Sequence, residues 1–268
     1  MSGAAGVMNE PASPAVTRES SAFLPKEHGS WSLALEPLAL GLLVAPSLGG
    51  AALALAAISG FFARRPAKAV LVPGSIARPG APVAFALLTL CAASGLIEAA
   101  LLGGFRSLWA LLLAAPFGVL FLFFDFRQEA RAVAAELAGA SAFSLLPAAL
   151  ASLAGWNPRS ALALAAVMCA RSVPTVIALR CAVRIGKGRA AGRLAPAAAA
   201  SAALALLIAL AWLSLAPWVP AGLAMLLVVR WMVLARLRPA ALTARALGMT
   251  EAAIGVVYVA GAALAYRL

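Results

Sequence analysis

Apolar runs at about 31–47, 49–63, 82–103, 107–124, 136–155, 160–180, 195–215, 217–236 and 249–266 fill most of this chain, and the short stretches between them hold most of its charge. An α-helix needs roughly 20 apolar residues to cross a bilayer core of about 30 Å. Inside lipid every backbone N–H and C=O must be satisfied internally, so only helices and closed barrels can span. The runs are rich in Ala and Leu and do not alternate in polarity, which excludes a barrel. Composition agrees, with 64% hydrophobic and 11% charged residues against about 25% charged in soluble domains. The expected fold class is all-α: a polytopic helical membrane bundle of about nine transmembrane helices.

The breaker cluster "APSLGG" at 45–50 divides residues 31–63 into a tight hairpin rather than one overlong helix, and both flanks of that stretch are basic. With the N-terminus inside, the inner loops hold Arg64, Arg65, Lys68 and Arg78; Arg127 and Arg131; Arg184, Lys187, Arg189 and Arg193; and Arg236, Arg238 and Arg245. The outer segments hold Arg106, Arg159 and Arg267. That asymmetry predicts a cytoplasmic N-terminus and an outside C-terminus, in the inner membrane of a bacterium. Residues 1–22, rich in Ala, Ser and Pro, lack the basic and apolar regions of a signal peptide and read as a disordered cytoplasmic tail. Residues 23–268 then form a single transmembrane domain.

The net charge of +12 follows from the basic inner loops, which meet anionic headgroups of the bilayer. No basic stretch is interleaved with stacking aromatics, so nucleic acid is not an expected partner. Cys91, Cys169 and Cys181 are spaced for neither a disulfide framework nor a metal cluster.

Charges inside or beside membrane segments need a reason. If the helix through "FFDFRQEARAVAAELAG" is continuous, Asp125, Glu129 and Glu136 fall within about 40° of one another. Such a carboxylate stripe at the cytoplasmic face suits Mg²⁺, which links carboxylates to phosphorylated ligands. A solvated helix whose acids pair with nearby arginines is the competing account. Arg64 and Arg65 end the second run, and Arg171, Arg180 and Arg184 lie along the sixth. Arg171 lies deepest, three residues before Pro174, and must meet a carboxylate, a carbonyl or water. Glu98 fits a structural role, and Glu251, after Thr250, fits the start of the last helix as a complement to its positive end.

The only histidine, His28, stands at the mouth of the first helix with Trp31 beside it and Glu36, followed by Pro37, two turns deeper. One histidine excludes bis-histidine haem ligation and argues against a His-based zinc site. It suits an interfacial hydrogen bond, a proton carrier or a phosphate contact. The candidate ligand-binding set is therefore His28, Trp31, Glu36, Arg64, Arg65, Arg171, Arg180 and Arg184, with Asp125, Glu129 and Glu136 as the candidate metal set.

"LPKEHGSWSLALEPLALGLL" resembles the opening of the YwiC-like family of bacterial integral membrane proteins, with its P-x-x-H-G-[AS]-W run. "RRP", "DFRQEARAVAAELAG" and "ALGMTEAAIG" resemble later blocks in the same order. The resemblance implies a multi-pass membrane protein, directs attention to His28, Gly29 and Trp31, and names no activity. A second likeness is to the UbiA-like membrane prenyltransferases, which have nine helices and hold prenyl diphosphate on aspartates through Mg²⁺. Asp125, Glu129 and Glu136 resemble a degenerate form of their second acidic motif. "ARRPAKA" stands where their first motif, N-D-x-x-D, would be, and the acidic stretch follows the fourth run rather than the sixth.

Three functions are thereby open. One is a cytoplasm-facing polar cavity for an anionic or isoprenoid-linked phosphate. Another is a small-anion or proton-coupled carrier using Arg171 with Glu36 or His28. The third is a scaffold in which the charges only pair. Oligomeric state is not legible.

Overall fold

The computed structural model describes residues 28–72, 80–236 and 244–268, with side chains from Ala34 onward in the first helix and from Ala246 in the last. The expected 1–22 tail, Arg78 and Arg238 lie outside the described residues, and the side chains of His28, Trp31 and Arg245 are likewise not described. The described residues are helical throughout, in the order α1 (His28–Val44), α2 (Leu48–Leu71), α3 (Ala81–Gly103), α4 (Trp109–Phe126), α5 (Val133–Ser144), α6 (Leu146–Leu153), α7 (Pro158–Gly186), α8 (Leu194–Trp212), α9 (Val219–Leu234) and α10 (Ala244–Ala265). A 3-10 turn, Phe105–Leu108, leads into α4.

Among the described residues, six helical stretches are long and apolar enough to cross a membrane: Ala81–Gly103, Phe105–Phe126, Val133–Leu153, Pro158–Gly186, Leu194–Trp212 and Ala246–Ala265. Ala34–Val44 of α1 and Val219–Leu234 are apolar but shorter. The third stretch joins α5 and α6, whose boundary falls at Leu145 beside Pro147, a residue with no N–H to give the helical ladder. The break between α1 and α2 lies where the breaker cluster places it. Pro46 follows the end of α1, and the Ser47 hydroxyl accepts from Gly50 N at 3.0 Å to cap α2.

Burial sorts the helices. α7 is the most buried of the candidate spans, while α3 and α4 present most of their apolar surface outward, as lipid-facing helices do. The main core gathers Leu40, Leu150, Leu164, Val167, Met168 and Leu207 with many alanines, so the backbones approach closely. Gly95 of α3 shows how closely: a Cβ there would stand 2.7 Å from the Ala52 carbonyl oxygen of α2.

Four helices end in the same way. After α4, Gln128 takes a φ of 62° while Glu129 N donates to Phe124 O and Gln128 N to Asp125 O. This is the Schellman arrangement, in which a left-handed residue turns the chain off the helix axis. Gly155, Gly188 and Ser214 serve identically after α6, α7 and α8. The turn at Gln128 overturns the continuous helix on which the three-carboxylate stripe was drawn. Asp125 ends α4, Glu129 lies in the turn and Glu136 belongs to α5.

Candidate buried ion-pair site

α1, α7, α9 and α10 each bring one ionisable residue to a common point. Arg171, midway along α7, is 1% exposed, and Glu251, eighth residue of α10, is 3% exposed. Arg171 Nη1 lies 3.1 Å from Glu251 Oε2, and its Nη2 donates to the Glu251 backbone carbonyl at 3.1 Å. Nη1 also contacts the Thr175 hydroxyl one turn along α7. Glu36 of α1 approaches from the other side, its Oε2 3.6 Å from Arg171 Nε. Arg230, four residues before the end of α9, pairs with Glu251 Oε1. Tyr258 of α10, buried nearby, donates to Val167 O at 2.9 Å.

The four charges sum to zero. That balance matters, because one Asp, Lys or Arg at the centre of a membrane helix costs about 2.5–3.5 kcal/mol on insertion scales. Four unpaired charges would cost on the order of 10 kcal/mol, so their convergence is the arrangement that makes these helices compatible with lipid. Close backbone approach makes it possible. A Cβ at Gly255 of α10 would collide with the Glu36 carboxylate, so glycine at that position gives Glu36 its room.

A second cluster lies at one end of α2 and α4. Asp125, buried at the last turn of α4, accepts from Lys68 Nζ at 3.0 Å and lies 3.8 Å from Arg64 Nη1. The Arg64 guanidinium stands over the rings of Phe61 and Phe121, at 4.4 and 4.7 Å from their centroids. Such cation–π contacts hold the cation in place when water is scarce. At the same end, Arg180 Nη1 meets Glu136 Oε2 at 2.7 Å and donates to Arg131 O at 2.9 Å.

Set against the sequence-derived candidates, Glu36 and Arg171 come together, and Arg64, Arg180 and Arg184 do not join them. Arg184 turns instead to Ala190 O. Asp125, Glu129 and Glu136 form no group, and no set of three His, Cys, Asp or Glu fit for a metal occurs among the described residues. Glu251 is no cap. It lies two turns inside α10, and the Thr250 hydroxyl donates backward to Ala246 O. Arg230 escapes notice in the sequence, its one signal being an arginine inside the apolar run "LLVVRWMVL". Among the candidates, Glu36 pairs with Arg171, Asp125 with Arg64, and Glu136 with Arg180. The hollow between α1, α2 and α5 is small and apolar, lined by Leu35, Leu38, Phe61, Phe62 and Phe143.

The apolar spans and the buried, charge-balanced centre define the class: a polytopic helical membrane protein. In comparison with known families, residues 24–151, a little under half of the chain, are similar to the YwiC-like proteins. The match includes Glu36 and the acidic turn; Arg171, Arg230, Glu251 and the block "ALGMTEAAIG" lie beyond it. Comparison with curated proteins and with solved structures gives no match.

Proposed function

We propose that this protein is a proton-linked membrane carrier for a small anion, working through Glu36, Arg171, Arg230 and Glu251. The observation that supports this is the burial of Arg171 between carboxylates from two other helices. Buried ionisable residues in membrane helices mark ion and proton pathways. Because the cluster is charge-balanced, a proton taken up by either glutamate leaves an arginine in excess, and the excess charge draws an anion. Contacts from four helices give the site a means of coupling ligand exchange to helix movement.

The carrier reading is joined to a topology of nine crossings in a bacterial inner membrane, N-terminus inside and C-terminus outside, supported by the one-sided distribution of basic residues. α1 and α9, at 17 and 16 residues, are short for a crossing of about 20. The test is reconstitution in liposomes with an imposed pH gradient and a fluorescent internal pH indicator. Anion-dependent proton entry that disappears in Arg171→Ala, with the variant inserted at equal amount, supports the carrier. Equal fluxes in wild type and variant refute it.

A second reading is binding of an anionic or isoprenoid-linked phosphate at the end cluster, with Mg²⁺ if a carboxylate such as Glu129 joins the ligand. Its support is the pair of cations, Arg64 and Lys68, around a single Asp125. Prenyl diphosphate with and without Mg²⁺, in a thermal-stability series on wild type and Arg64→Ala, tests it. A shift lost in the variant is the expected result.

A further inference from the structure

The two glutamates of the buried cluster are held unequally. Glu251 is pinned on both sides, by Arg171 at 3.1 Å and by Arg230, and its own backbone carbonyl accepts from Arg171 as well. Glu36 stands farther from Arg171, at 3.6 Å, and its side chain is 12% exposed where that of Glu251 is 3%. It is followed by Pro37, which has no N–H for the helical ladder. Its carboxylate fills the notch left by the missing side chain of Gly255. One carboxylate is thus built in, and the other is seated in a hollow of its own size.

We infer that the seat of the Glu36 carboxylate, bounded by Arg171 Nε and the bare backbone at Gly255, is a subsite for a small monocarboxylate, with Glu36 as its resident occupant. The inference rests on the carrier reading for its purpose and names the substrate class. Protonation of Glu36 by water-borne H⁺ makes it a neutral acid and leaves Arg171 and Arg230 facing Glu251 with one positive charge in excess. A monocarboxylate then restores neutrality, one proton and one anion together, and release reverses both. A dianion such as sulfate or hydrogen phosphate would overfill a vacancy of one charge in a low-dielectric site. A planar carboxylate presents two oxygens to a guanidinium edge, which a spherical halide does not.

Among the described residues, the following charged groups lie on the elements around Glu36. Arg171 comes from α7, with Glu251 and Arg230 behind it, and Tyr258 of α10 is near enough to feel both Arg171 and Glu36. α6 carries no ionisable side chain. Glu136 of α5 is engaged by Arg180, and Arg64 and Lys68 of α2 by Asp125.

Glu36→Ala removes a fragment the size of acetate and keeps the Cβ. Detergent-purified Glu36→Ala is therefore melted in sodium acetate, formate, propionate, chloride and sulfate at matched ionic strength. Acetate, and formate less strongly, is expected to recover about half or more of the lost melting temperature, as ligand binding to the folded state does. Chloride and sulfate are expected to give no such recovery. In Glu36→Ala/Gly255→Ala the added methyl fills the vacated notch, so the double variant folds and no longer responds to acetate. An acetate effect no larger than that of chloride, or one undiminished in the double variant, overturns the subsite.

If Glu36→Ala gives no folded protein, wild type decides. Acetate must then stabilise it over chloride at the lowest pH the fold tolerates and not at about pH 8. The same response at both, or none, overturns the inference. An acetate response without proton flux in liposomes keeps the subsite and removes the carrier; flux of another anion without an acetate response does the reverse.

Discussion

Arg171 and Arg64 both stand on apolar helices with a carboxylate at hand, yet their surroundings differ in kind. Arg171 is buried among charges that cancel, drawn from four helices. Arg64 lies near the end of α2, partly exposed, sharing Asp125 with Lys68 and leaning on two phenylalanine rings. The first cluster binds the bundle together at its centre, where an unpaired charge has no water to turn to. The second can trade a protein partner for water or a lipid headgroup. The same ion-pair chemistry is therefore a fixture in one place and an adjustable contact in the other.

The contrast predicts a graded series of losses, measured as unfolding free energy in detergent. Arg171→Ala leaves the buried Glu251 to Arg230 and takes Arg171 away from Glu36, and is expected to cost about 3–5 kcal/mol, the penalty for breaking a buried pair from one side. Gly255→Ala in the otherwise native chain forces Glu36 from its seat and is expected to cost about 1–3 kcal/mol, as overpacking does. Asp125→Asn should cost about 1–2 kcal/mol, because Lys68 and Arg64 keep access to solvent and only charge-assisted hydrogen bonds are lost. Arg180→Ala, which breaks a half-exposed pair with Glu136, should cost about 0.2–1 kcal/mol and less in high salt. A loss for Asp125→Asn equal to that for Arg171→Ala would erase the distinction between the clusters. A double-mutant cycle on Arg230 and Glu251 would sharpen it, with coupling larger than that between Arg180 and Glu136.

Much of this molecule can be read from its residues, because hydrophobic runs and breakers act locally. The hairpin at Pro46–Ser47 and the kink by Pro147 follow from residues that cannot continue a helix. The depth of Arg171, and the oddity of Glu36 before Pro37, also mark them in the sequence. What cannot be read is which charge meets which, since Arg230 and Glu251 join the cluster only through the way α9 and α10 pack. The acidic stripe fails for a related reason. Gln128 ends α4 in the left-handed conformation where glycine would ordinarily announce it, so the sequence shows no stop. Ser214 hides the end of α8 in the same way.

The Arg171 pairing also has a schedule. Glu36 leaves the ribosome about 135 residues ahead of Arg171 and about 215 ahead of Glu251. At roughly 5–20 residues per second, that is on the order of ten seconds or more before its arginine exists. During that interval α1 carries a carboxylate with no counter-charge from the cluster. α1 can complete its contact with the cluster only once α7 and α10 have been made. Arg267, donating to Leu43 O at 3.1 Å, fastens that seam between the two ends of the chain.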